Sequence, residues 1–240
     1  MIYQYDLDYV PDNGIGHRGY DFGFLLEEYP LIPNAELVYN TYTIPGRGEL
    51  VEGNSYRKNI SISAPMTLVI EDVDQLQYID YVRKVEHWLQ GPGWVKFSDT
   101  ADTKYRVLKI QHNNEGRVTP VFGRINPVFL CEPYEFKEDG FIAYPQIQYN
   151  PYDMCKPIYR VSGEGSGVLT VNGKSVAVNV GQNLTIDTAK QVTYRTDSEE
   201  IINTAISGDY EDLWLDSGNV SVGITGGLTV TIEPRWGWNK

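Results

Sequence analysis

Side chains able to do chemistry are few in this chain, and their spacing does not assemble an active site. The histidines His17, His87 and His112 fall in a loop, a helix and a strand end. No pair has metal-ligand spacing and none stands in a Glu–x–x–His pattern, so neither a metal site nor a base–nucleophile pair is spelled out. Cys131 and Cys155 cannot make a four-ligand zinc site or a disulfide framework. Cys131, in an apolar run, reads as a small buried hydrophobe. Cys155 reads as part of a polar loop. The acidic pairs Glu27–Glu28, Glu199–Glu200 and Glu211–Asp212 read as solvated surface charge. A glycosidase would also need two carboxylates, but at a separation in space that sequence does not define. Gly163–Glu164–Gly165–Ser166–Gly167 looks superficially like a phosphate loop, yet no Lys and no helix follow it. It reads as a tight turn, with Gly163 and Gly165 supplying positive φ. The expectation is a chain with no catalytic residues, no metal, no cofactor and no enzymatic activity.

Aromatic side chains are the better candidates for contact with another molecule. Tyr210, Trp214, Trp236 and Trp238 cluster near the end of the sequence. Tyr and Trp dominate protein interfaces, and their rings also pack on sugars. Tyr210 and Trp214 are the candidates for an outward-facing partner or glycan contact.

The elements that must position these residues are mostly strands. Tyr20–Leu26 reads as extended, as does Leu37–Ile44, which Pro45–Gly46–Arg47–Gly48 ends in a turn. Ile60 and Ile62 alternate with polar residues. Between Asp72 and Gln90 the apolar residues Val73, Leu76, Ile79, Val82, Val85 and Leu89 recur at helical spacing. That predicts a helix over 72–90, capped by Asp72 or Asp74 and stopped by Gly91–Pro92–Gly93. Strands follow at Trp94–Phe97, Tyr105–Ile110, Val118–Phe122 and Phe129–Cys131. Beyond Pro157 seven short strands with turns such as Asn172–Gly173 and Thr225–Gly227 predict a β-sandwich. Polar and turn-forming residues from Glu135 to Asp153 divide the chain into modules 1–135 and 136–240. The fold class is mainly β, with one helix in the first module.

Composition supports this reading. In 240 residues there are 18 Tyr, 23 Gly and 13 Pro, the mix of short strands and many turns. Acidic residues outnumber basic ones by 32 to 20, giving a net charge of −12. Neither module is basic, which argues against a nucleic-acid partner. No stretch approaches the roughly 20 apolar residues of a membrane helix. Met1–Asp6 lacks the basic and apolar regions of a secretory signal.

The order of motifs resembles the distal tail protein (Dit) family of long, non-contractile-tailed phages. In the first module the matching pieces are Ile44–Pro45–Gly46–Arg47–Gly48–Glu49–Leu50, His87–Trp88–Leu89, Phe97–Ser98–Asp99 and Phe129–Leu130–Cys131–Glu132–Pro133–Tyr134. In the second they are Asn150–Pro151, Pro157 through Gly173, Ile186–Asp187, Gly208–Asp209–Tyr210, Gly218–Asn219 and Ile232–Glu233–Pro234–Arg235–Trp236. The series spans essentially the whole chain. One departure stands at the turn, where the family usually has an acidic residue between Arg and Gly and Arg47 is here followed directly by Gly48.

The resemblance implies a β-sandwich-like first module with one helix and a galectin-like second module. It implies a homo-hexameric ring at the virion tail tip, assembled in the bacterial cytoplasm, joining the tail tube protein to the tail-associated hub protein. An arm over 36–50 would reach the neighbouring subunit, making Leu37, Tyr39, Tyr42, Ile44, Pro45, Arg47 and Leu50 interface residues. The second module would dock receptor-binding or baseplate proteins. The alternative reading is a carbohydrate-binding β-sandwich that recognises host cell-wall glycans.

Overall fold

The computed structural model describes residues 5–46, 48–68, 75–100, 102–113 and 123–240. It is mainly β, built of curled antiparallel sheets, with one α-helix among the described residues. The chain forms two compact units. Residues 1–135 together with Asn239 and Lys240 make the first, and Phe136–Trp238 make the second.

The first unit is organised by a nine-stranded sheet. Its first strand, Leu7–Pro11, buries Leu7 and Tyr9 and pairs with Gly93–Phe97, which pairs in turn with Thr103–Asn113. The strand Arg124–Lys137 holds the centre. It runs straight through Pro127 and Pro133, past the point where sequence reading ends it at Cys131. Each proline lacks an N–H but still offers a carbonyl: Ala64 N–H donates to Pro127 and Lys240 N–H to Pro133. Ile60–Ser63 pairs with Val128–Cys131, with Ile60 and Ile62 inward as the alternation predicts.

The helix spans Gln75–Trp88. Val85, Trp88 and the following Leu89 are buried, and Ile79 and Val82 pack against the same core. The Trp88 indole N–H donates to the Tyr9 carbonyl at 3.1 Å, and the Tyr9 hydroxyl donates to the Gly91 carbonyl at 2.8 Å. These two bonds fasten the helix end to the sheet. Val73 and the capping candidates Asp72 and Asp74 lie outside the described residues, as does the expected strand Val118–Phe122. Tyr20–Phe22 is not extended: Gly19–Phe22 is a 3₁₀ turn. The Asp21 carboxylate accepts the Arg18 N–H, and Gly23 at φ 77° turns the chain into the strand Phe24–Leu26.

The second unit is built on one long ribbon. Ile158–Val171 and Lys174–Asp187, 14 residues each, pair along their whole length around the turn at Asn172–Gly173. The expected turn at Gly163–Gly167 is therefore not a turn, although Gly163 (φ 130°) and Gly165 (φ 109°) do have positive φ. These glycines share the inward face with Tyr159, Val161, Leu169 and Val171. A Cβ on Gly167 would stand 2.4 Å from the Thr225 carbonyl oxygen and 2.8 Å from the Leu228 side chain. Gly163 and Gly167 leave room for the excursion Thr225–Leu228, which interrupts the neighbouring strand, whereas nothing lies within 4 Å of a Cβ on Gly165. Val222–Ile224 and Thr229–Glu233 lie along the same edge of the ribbon and run in the same direction. On the other edge Val192–Tyr194 and Ile206–Ser207 repeat that pattern around their own excursion.

Candidate assembly surface

The strand Leu37–Ile44 is rich in β-branched and aromatic residues, which favour the extended chain. It returns as Gly48–Arg57. Gly46 and Gly48, at φ 84° and 78°, flank the turn. No atom lies within 4 Å of a Cβ built on either, so backbone conformation rather than crowding calls for glycine there. Ile44 opposes Gly48, Tyr42 opposes Leu50 and Leu37 opposes Arg57. Between Tyr39 and Asn40 the register shifts, because Tyr39 opposes Ser55 while Asn40 opposes Glu52. Two extra residues on the return strand form a bulge, which strengthens the local twist.

This hairpin is a sheet of its own, hydrogen-bonded to no third strand among the described residues. Alternation places Val38, Tyr42, Ile44 and Tyr56 on one face and Leu37 and Tyr39 on the other. Tyr39 is 49% exposed, Tyr42 60%, Ile44 39% and Tyr56 59%. Pro45 is exposed at the tip. Leu50 is located by its backbone register, and Arg47 lies outside the described residues. At the root, Lys58 N–H donates to the Glu36 carbonyl and the Lys58 ammonium to the Glu36 carboxylate, both at 2.9 Å. That carboxylate holds Lys58 above the ordinary lysine range. The hairpin thus has a tied root, an apolar surface and two unpaired edges.

Among the described residues the reactive groups do not converge. His17 lies 3.7 Å from Asp21, and His112 Nε2 lies 2.9 Å from the Leu89 carbonyl oxygen. Among the described residues no group of three or more His, Cys, Asp or Glu is placed to hold a metal ion. Glu27 forms a two-pronged pair with Arg124 and accepts the Thr67 hydroxyl, and the Arg124 contact chiefly holds its carboxyl below the usual range. Glu200 faces Arg195 at 3.6 Å and Asp212 faces Lys174 at 3.3 Å. Cys131 is buried as expected. Cys155 is buried too, correcting its place in a polar loop, because its backbone bridges to Leu215 in the second core. Burial pushes both thiols up to about 12, which leaves them protonated and inert at neutral pH.

No protein-family model and no curated protein matches this sequence. Solved structures do. The crystal structure of the Dit protein of phage SPP1, described as a paradigm of the hub adsorption apparatus in phages infecting Gram-positive hosts, superposes with a TM-score of 0.65. That match covers 94% of this chain and 97% of the SPP1 chain at 13% identity. A chain of the phage P2 baseplate in its activated conformation matches with a TM-score of 0.50, 10% identity, and coverage of 97% and 98%. The fold is that of the SPP1 Dit protein.

Within this Dit fold, Tyr210 and Trp214 are both half-buried. The Tyr210 hydroxyl lies 3.0 Å from Thr193 Oγ1 and donates to Asn203 Oδ1 at 3.3 Å. The Lys156 ammonium sits 4.6 Å from the centre of the Trp214 ring. Trp236 is not an exposed aromatic at all. It is buried between Tyr144 and Tyr152, and its indole N–H donates to Asp139 at 2.8 Å. Trp238 keeps 40% of its surface exposed.

Sequence reading passed over one cluster as an interacting group. Asp187, 1% exposed, accepts the backbone N–H groups of Ala189 and Lys190 and lies 3.5 Å from Arg235. Glu233 joins Arg235 at 3.3 Å and Arg160 at 2.8 Å. Arg235 itself has φ 53°. Two motifs of the Dit resemblance, Ile186–Asp187 and Ile232–Trp236, therefore meet in space. Their place in that resemblance is the one signal in the sequence, since nothing local in either marks a partner.

Proposed function

We propose that this chain is a structural protein of a phage tail tip, which closes into a hexameric ring between the tail tube and the tail-associated hub. The hairpin Leu37–Arg57 carries the proposal. A lone two-stranded hairpin is marginal in water, so a hairpin with exposed aromatics and two open edges calls for a cover. A copy of the same chain is a cover of fixed stoichiometry. A head-to-tail contact between unlike surfaces makes a ring whenever the rotation closes. Similarity to the SPP1 Dit fold over nearly the whole chain supports the tail-tip assignment. The second unit would face outward and dock receptor-binding or baseplate proteins. Its compact core and the scattered reactive groups suit a scaffold better than an enzyme.

Native mass spectrometry and light scattering test the ring. The intact chain should give a hexamer, alone or with its tail partners, and a chain with residues 37–57 replaced by a Gly–Ser linker should give monomers that keep the second unit folded. A monomer from the intact chain under every condition, or a persistent hexamer without the hairpin, would sink the proposal.

A further inference from the structure

The hairpin's root is tied to the last residue of the chain. Arg57, closing the register opposite Leu37, donates from Nη1 to the Lys240 carbonyl oxygen at 3.1 Å. Lys240 is itself held twice. Its N–H donates to the Pro133 carbonyl at 3.1 Å, and its ammonium pairs with the Glu135 carboxylate. Glu135 is 9% exposed and hydrogen-bonds the buried Tyr105, whose phenol is raised above its usual range by burial first and Glu135 second. Arg57 at the hairpin root is thus connected, through a single residue, to the centre of the first unit's sheet.

We propose that Lys240 is a clasp that sets the direction in which the hairpin leaves the first unit. The hairpin's own register and the Lys58–Glu36 pair fix its internal shape but not its heading, because both partners of each contact belong to the hairpin or its two flanking residues. The hairpin makes no ladder with the main sheet among the described residues. A two-stranded ribbon anchored only through its two chain connections swings at its root. A charge-assisted bond from Arg57 to an immobilised carbonyl restrains that swing. Proline at 133 fits this role, because a residue without an N–H leaves its carbonyl as its one backbone contact to offer the terminal segment. The clasp concerns the isolated chain. Its value for assembly rests on the ring proposal: a pre-aimed arm loses less freedom on docking than a swinging one.

The test is a spin-label distance between Thr43→Cys on the hairpin and Lys109→Cys on the main sheet, both exposed positions. Cys131 and Cys155 are buried and stay unlabelled. Labelled chain is diluted until light scattering reads a single chain mass, so no neighbour holds the arm. The parent should give one narrow distance distribution. Arg57→Ala and Glu135→Gln should each broaden it, cutting the clasped population roughly fivefold, as loss of one such bond implies. Arg57→Lys, which keeps a cationic donor, should restore much of the narrow peak. An unchanged distribution in Arg57→Ala, with the fold intact by circular dichroism, overturns the clasp whether or not the chain forms rings. A broadened distribution with undiminished hexamer formation keeps the clasp and overturns its value for assembly.

Discussion

Two antiparallel hairpins of this molecule follow the same local rules and end in opposite circumstances. Leu37–Ile44 with Gly48–Arg57 and Ile158–Val171 with Lys174–Asp187 both join β-rich strands through turns that contain positive-φ glycine. The second ribbon covers its inward face with Leu213, Leu215, Leu228 and Trp236, and has strands on both edges. The first has neither among the described residues. Hairpin formation is thus a local property, whereas burial depends on what the rest of the chain supplies. The same grammar gives a core in one unit and a contact surface in the other.

Substitutions should separate the two. The largest effect is expected from Leu169→Ala in the ribbon, which should cost about 2–5 kcal/mol in denaturant unfolding because it opens a cavity in a fully buried site. Gly167→Ala should follow at roughly 1–3 kcal/mol, since its methyl meets the Thr225 carbonyl. Tyr42→Ala in the first hairpin should move the unfolding midpoint of the single chain by no more than about 0.5 kcal/mol while abolishing the hexamer. A stability loss as large as that of Leu169→Ala would show that the first hairpin is covered within its own chain.

The two buried thiols report each unit separately. In the native state neither Cys131 nor Cys155 should react with a thiol reagent near pH 8, because burial keeps both protonated and inaccessible. Leu169→Ala should speed modification of Cys155 and leave Cys131 slow, and Tyr42→Ala should change neither. Peptide mass mapping after timed labelling gives both rates. The smallest effect belongs to a contact outside both hairpins. Arg124 lowers the Glu27 carboxyl in the folded chain, so its stabilising contribution is present above the ordinary glutamate range and fades as pH falls through the lower folded value. Glu27→Gln should cost under ~1 kcal/mol at neutral pH, since the pair is partly exposed, and nothing in strong acid.

How far the sequence could be read follows from the same physics. The helix was legible because Ile79, Val82, Val85 and Leu89 face one core and repeat at one period. The ribbon was not legible as two long strands, because three of its inward positions are glycines and the alternation vanishes at Gly163, Gly165 and Gly167. The reason for Gly163 and Gly167, the passage of Thr225–Leu228 across them, lies about 60 residues further on in the sequence. Cys155 looked polar because its neighbours are, and only the bridge to Leu215 buries it. The strand reads as ending at Cys131, short of Pro133, because a missing N–H is visible in sequence and a used carbonyl is not. The first hairpin's residues could be named because turn and strand types are local. That nothing within the described chain covers them was information only the three-dimensional arrangement carries.

The return of Asn239 and Lys240 to the first unit has a consequence for the order of events during synthesis. The ribbon of the second unit closes around Asn172–Gly173 between neighbours in sequence, so it can zip up as soon as its residues have left the ribosome. The first unit pairs Leu7 with Phe97 and Ile60 with Cys131, which are far slower loops to close. It also takes in residues 239 and 240, which are made after the whole of the second unit. Of the two units, the one translated earlier is therefore the one finished later.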